Sequence, residues 1–205
     1  MRLWVTTSAE NFSSEFDEIE QMFERGLSRL ILQKRGRGSS TVASEAEYER
    51  WLLSLPMEFR DHIWIRGTPD LANRLEVRGA VTDFASIADN VPESWKRIDC
   101  IALCRSTEQL SAIPEWVSGA MIGPVFQPQS ALEIVQSIGI DHLSKTLGEI
   151  PPEKLPKVIA FGGIDHDNLS EIKKLPLQGI SLLGGIWNYA DPVNAAIKML
   201  RSVQG

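Results

Sequence analysis

Cysteine, histidine and positive charge are all scarce in this chain, and each shortage closes off a class of function. Two cysteines occur in 205 residues, Cys100 and Cys104. They fall four residues apart in one apolar run, roughly 13 Å at strand rise. A disulfide needs Cα atoms within about 7 Å, so the two do not bridge within that strand. Their spacing is neither a CxxC redox motif nor a zinc-ligand pattern, and two free thiols suit a reducing compartment. The formal net charge is −6, which argues against a general nucleic-acid or anionic-membrane surface. No apolar run approaches the roughly 18 residues of a membrane span. The opening MRLWVTT runs straight into a strand-like segment, with no charged n-region and long apolar h-region. A soluble protein of the cytoplasm is expected.

The three histidines offer little acid–base chemistry. His62 falls at the start of a strand and His142 on an outer helix. His166 lies after an FGGI motif, where a solvated residue in a first helical turn is the more frequent reading. Cys104 ends a strand with no base partner beside it and reads as a buried thiol.

What the chain has in quantity is short runs of Val, Ile and Leu, most of them followed by segments of helical period, the signature of parallel β/α units. Eight strands are expected: Arg2 to Thr7, Arg29 to Gln33, His62 to Arg66, Gly79 to Phe84, Asp99 to Cys104, Gly119 to Phe126, Lys157 to Gly162 and Gly179 to Gly184. IALC, VIAF and ISLL do not alternate, as strands buried on both faces should not. Phe16, Ile19, Phe23 and Leu27 share a helical face that closes near Gly26. Thr68-Pro69 and Asp191-Pro192 open helices, the latter carrying Val193, Ile197 and Leu200 on one stripe, and Asp165 precedes another with Leu169 and Ile172. The fold class is therefore α/β, a single TIM (β/α)8 barrel spanning residues 1–205.

In such a barrel the site lies where the strands end, and phosphate is commonly held after strands seven and eight. Gly162-Gly163 and Gly184-Gly185 end those strands, and backbones without side chains can approach an anion closely. Lys34, Arg35 and Arg37 after strand two, Arg66 at the end of strand three and Arg105 after strand five predict a positive mouth suited to phosphate or diphosphate. Trp187, beyond LLGG, is placed at the pocket rim, and the long connection after strand six carries QPQS, a candidate functional loop.

The order of these motifs resembles the thiamine phosphate synthase/TenI family over nearly the whole chain. RLWVTT, RLILQKRG, GAMIGPVF, VIAFGGIDHDN and GISLLGG are similar to its first, second, sixth, seventh and eighth strands, and the GPVF and FGGI pair is the most specific part. The resemblance implies a transferase joining a pyrimidine diphosphate to a thiazole phosphate, with release of pyrophosphate and help from Mg²⁺. It implies catalytic roles for Arg35, Arg66 and Asp83, a phosphate cradle at Gly162, Gly163, Gly184 and Gly185, and substrate contacts from Gln33, Lys34, Arg105, Ser106, Gln127 and Ser130.

The chain departs from the pattern at several places. Gln33-Lys34-Arg35 stands for Arg-x-Lys, Arg66-Gly67 for a metal-binding Asn-Asp, and GAVTDFAS with Asp83 for a second acidic stretch. The lysine of the loop after GPVF falls at about Ala131, and a TenI histidine falls at Ser106. No residue is assigned to metal. Two alternatives stay open, a TenI-like thiazole tautomerase and a non-catalytic phosphoester-binding barrel. The expected partner is a phosphorylated small molecule, not nucleic acid or membrane; oligomeric state is open, with a homodimer as one option.

Overall fold

The computed structural model describes residues 1–8, 12–34, 43–88, 90–128, 137–151 and 157–204. Eight parallel strands close in chain order: β1 (Arg2–Thr6), β2 (Leu30–Leu32), β3 (Ile63–Arg66), β4 (Gly79–Asp83), β5 (Asp99–Cys104), β6 (Gly119–Ile122), β7 (Val158–Phe161) and β8 (Gly179–Leu182), with β8 returning to β1. All eight expected strands are present; most are equal to or slightly shorter than expected, but β6 stops at Ile122, where the expected strand ran on to Phe126. The helices are α1 (Glu15–Glu24), α2 (Glu45–Leu52), α3 (Pro69–Arg74), α4 (Glu93–Lys96), α5 (Thr107–Ser111), α6 (Ile140–Glu149), α7 (Leu169–Ile172), α8 (Gly184–Trp187) and α9 (Pro192–Gln204). No helix among the described residues is long and apolar enough to cross a membrane.

Local chemistry accounts for most helix ends. Gly26, at φ +103°, closes α1: its N–H donates to Phe23 O at 3.0 Å and the Leu27 N–H to Met22 O at 2.9 Å. This paired pattern needs a left-handed residue, which glycine supplies without steric cost. The Thr68 hydroxyl accepts from Leu71 N at 3.3 Å with Pro69 in the first turn of α3, and the Asp191 carboxylate accepts from Asn194 N at 2.9 Å to open α9. Two expectations shift. Asp165 caps a turn, accepting from Asp167 N and Asn168 N, and α7 begins only after Asn168. On α9 the buried stripe is Val193, Ala196, Met199 and Val203, while Ile197 and Leu200 are only half-buried.

The strand pleat splits the core in two. Outward-facing residues such as Val5, Leu30, Ile65, Ala102, Ile122 and Ile180 pack under the helices. Inward-facing Trp4, Ile31, Trp64, Val81, Ile101, Leu103, Met121 and Ile159 fill the barrel. Trp4 and Trp64 meet at the floor with ring centroids 4.5 Å apart. Glycine makes the room: a Cβ at Gly79 would fall 2.6 Å from the Trp64 ring, and one at Gly179 3.1 Å from that of Trp4.

Both cysteines are buried, and Cys104 lies in the layer under the helices instead of facing the mouth. Burial pushes the Cys100 thiol up to about 11 and the Cys104 thiol up to about 12. Neither is therefore expected to react with iodoacetamide in the folded protein at about pH 8, and both are expected to react in guanidinium chloride. Mass spectrometry of the adducts checks this, and rapid native labelling of either thiol would contradict it.

Candidate functional site at the barrel mouth

Above the apolar filling, inward positions turn polar at the C-terminal ends of the strands. Thr6 on β1 and Ser181 on β8 share a hydrogen bond of 2.9 Å across 175 residues of sequence. Around them opens a cavity of about 530 Å³, walled by Ile31, Val81, Leu103, Met121 and Phe161 and rimmed by Gln33, Arg66, Arg105 and the two glycine pairs. The size and the mix of apolar wall with few polar groups suit a small-molecule site.

On one rim, three loops close on one another where side chains are missing. Gly162 and Gly163 have φ of +89° and +65°. A Cβ at Gly162 would lie 2.3 Å from Pro124 Cβ, one at Gly163 2.8 Å from the Phe126 backbone, and one at Gly185 2.6 Å from Ile164 O. These three glycines let the segments after β6, β7 and β8 interlock. Gly184 differs: a Cβ there would meet only the Asn188 side-chain amide, at 3.1 Å. Among the described residues, no main-chain carbonyl accepts from the N–H groups of Gly163, Ile164, Gly184 or Gly185.

On the opposite rim sit the ends of β3, β4 and β5. Arg66 donates from Nη1 to Val81 O at 2.9 Å and from Nη2 to the Asp83 carboxylate. Arg105 lies with its guanidinium carbon 5.2 Å from the centre of the Phe161 ring. Partial burial holds the Arg105 guanidinium below its usual pKa, the Arg66 charge adds to this, and Asp83 opposes it.

The other expected site residues fall elsewhere. Lys34 does not line the cavity; its ammonium is fully buried in an ion pair with Glu15 of α1, beside the Phe16 ring. Asp83 is engaged by Arg66, Ser106 caps α5 by accepting from Gln109 N at 3.4 Å, and Gln127 is exposed. Arg35 and Ser130 lie outside the described residues. Trp187 anchors the rim from behind, donating from Nε1 to Thr6 O at 2.7 Å, while Asn188 and Tyr189 form the edge itself. His166 does not reach the cavity. Thr6 and Ser181 were open to sequence reasoning, as polar residues at the ends of the apolar runs RLWVT and GISL.

No family model matches the chain. The curated thiamine-phosphate synthase of Staphylococcus carnosus is 21% identical over 179 residues, 82% of this chain and 79% of the relative. That of Chloroflexus aurantiacus is 24% identical over 187 residues, 85% of this chain and 84% of the relative. The crystal structure of thiamine phosphate pyrophosphorylase from Bacteroides thetaiotaomicron matches over 100% of both chains at 22% identity, with a TM-score of 0.71. The chain is thus similar to thiamine-phosphate synthases over most of its length and shares their barrel fold.

For a synthase-like barrel, the fit of Mg²⁺ can be tested on the donor set. Among the described residues no three His, Cys, Asp or Glu side chains converge to hold an ion. A Mg²⁺ ion bound to substrate phosphates usually keeps one or two protein carboxylates. At the β3–β5 rim the carboxylate at hand, Asp83, is occupied by Arg66, so this rim does not fit the metal.

Proposed function

We propose that this synthase-like barrel binds a thiazole phosphate at its mouth, phosphate on the Gly162-Gly163 and Gly184-Gly185 backbone, and joins it to a pyrimidine diphosphate with release of pyrophosphate. One observation carries the reading: beside the cavity, the interlocked loops after β6, β7 and β8 leave four N–H groups without main-chain acceptors among the described residues. Such groups stabilise a phosphate through charge-assisted hydrogen bonds. In the apolar walls, the Phe161 ring offers an aromatic surface and Met121 a pliable thioether to an aromatic heterocycle. Purified protein is expected to form thiamine phosphate from the two precursors, followed by chromatography. Product at background level, with and without Mg²⁺, would sink the transferase reading.

A second reading, a non-catalytic phosphoester-binding barrel, is favoured by the fate of two charges that a transferase would use on substrate. Lys34 is held by Glu15 and Asp83 by Arg66. On this reading thiazole phosphate raises the melting temperature, and no product forms.

A further inference from the structure

We infer that Arg66 and Arg105 form a second anion subsite, made for a diphosphate group and independent of divalent metal, on the rim opposite the glycines. The strand register places the components side by side. Arg66 pairs with Val81 across β3 and β4, Asp83 with Leu103 across β4 and β5, and Arg105 follows directly on β5. Neighbouring strand ends thus deliver two guanidiniums to a single sector of the cavity, with the Asp83 carboxylate paired to Arg66 beside it.

The two arginines are held in different ways. Arg66 is fixed by the Val81 carbonyl and the Asp83 carboxylate, which together engage two of its five N–H groups and leave the others for a ligand. Asp83 balances that charge. Arg105 has no carboxylate partner among the described residues; its guanidinium rests on Phe161 and faces the cavity. A partly desolvated guanidinium beside a second one is a poor arrangement in an empty site and a good one around an oxyanion with two negative charges, which relieves the repulsion and takes bidentate hydrogen bonds. A divalent cation at this rim would meet Arg66 where it needs a free carboxylate. The guanidiniums supply the positive charge themselves.

The inference deepens the proposed function, since it assigns the diphosphate end of the second substrate, yet it is tested without turnover. Inorganic pyrophosphate is titrated into the full chain by calorimetry, in EDTA and in Mg²⁺, with inorganic phosphate as a monoanionic-site control. Pyrophosphate is expected to bind in EDTA, with affinity changed less than about threefold by Mg²⁺, since at this rim the described carboxylate, Asp83, is held by Arg66. R105M, which leaves the Arg66–Asp83 pair in place, is expected to weaken it by about tenfold or more, as loss of a charge-assisted contact should. R105K is expected to fall between the two, keeping charge without the planar fork. G184A is expected to weaken phosphate more than pyrophosphate. Pyrophosphate binding that requires Mg²⁺, or that R105M leaves unchanged while circular dichroism shows a native fold, would overturn the inference. A protein that binds pyrophosphate as described but makes no thiamine phosphate would overturn only the transferase reading.

Discussion

Replacing Lys34 with methionine is expected to lower the unfolding free energy by about 3–5 kcal/mol at neutral pH, because it strands a buried carboxylate. The Lys34 and Glu15 side chains are both fully buried, and besides the ammonium the carboxylate receives the Ser8 N–H at 2.8 Å. Burial raises the Glu15 pKa and lowers that of Lys34, and in each case the partner opposes the shift. With the ammonium gone, burial and the nearby Glu18 still raise the Glu15 pKa, and only the Ser8 N–H opposes them. A carboxyl whose folded pKa lies above its unfolded value favours folding while it is protonated in both states, and that contribution is lost as pH rises through the folded pKa. The K34M penalty should therefore be largest at neutral pH and shrink as pH falls towards the ordinary carboxylate value. Removing both charges, in K34M/E15M, should recover most of the loss. Urea unfolding of the two variants at pH 7 and near pH 5 checks this. A K34M protein within about 1 kcal/mol of wild type at pH 7 would refute it.

The glycines at the mouth should separate into two kinds. G162A places a methyl group 2.3 Å from Pro124 Cβ in a residue at φ +89°. Left-handed strain of about 1–2 kcal/mol and overpacking of about 1–3 kcal/mol together predict a loss of roughly 2–5 kcal/mol. G184A has helical backbone and only the Asn188 amide to displace. Its stability should change by less than about 1 kcal/mol, since alanine in a helix gains at most about that much over glycine. Its cost should appear in ligand affinity, as a methyl group now stands between the backbone and the phosphate. Thermal unfolding alongside phosphate titration distinguishes the two, and a G184A protein that binds phosphate as wild type does would remove this glycine from the cradle.

The barrel was legible because its signal is short-range and repeated. IALC, VIAF and ISLL announce strands buried on both faces, and Gly26, Thr68 and Asp191 mark helix ends through chemistry reaching only a few residues. The S-x-x-E signature at Ser44 and Glu47, a capping box at α2, was equally readable, though the apolar runs alone pass over it. The glycine pairs were legible as punctuation, but the reason for three of them was not. Pro124, Phe126 and Ile164 fill the space where a side chain would go, and that is tertiary packing. The charged residues were the least legible. Whether Lys34 faces a substrate or a buried Glu15 nineteen positions earlier depends on how α1 docks, and whether Asp83 is free depends on Arg66 from the neighbouring strand. Residue type and strand end locate a charge at the mouth without naming its partner.

The two tryptophans at the base have a consequence for traffic. With Trp4 and Trp64 filling the space that Gly79 and Gly179 vacate, the barrel is a blind well. Whatever enters between the arginine rim and the glycine rim must leave by the same aperture, and so must the water it displaces. If two molecules are joined inside, the deeper one arrives first and is carried out under the other.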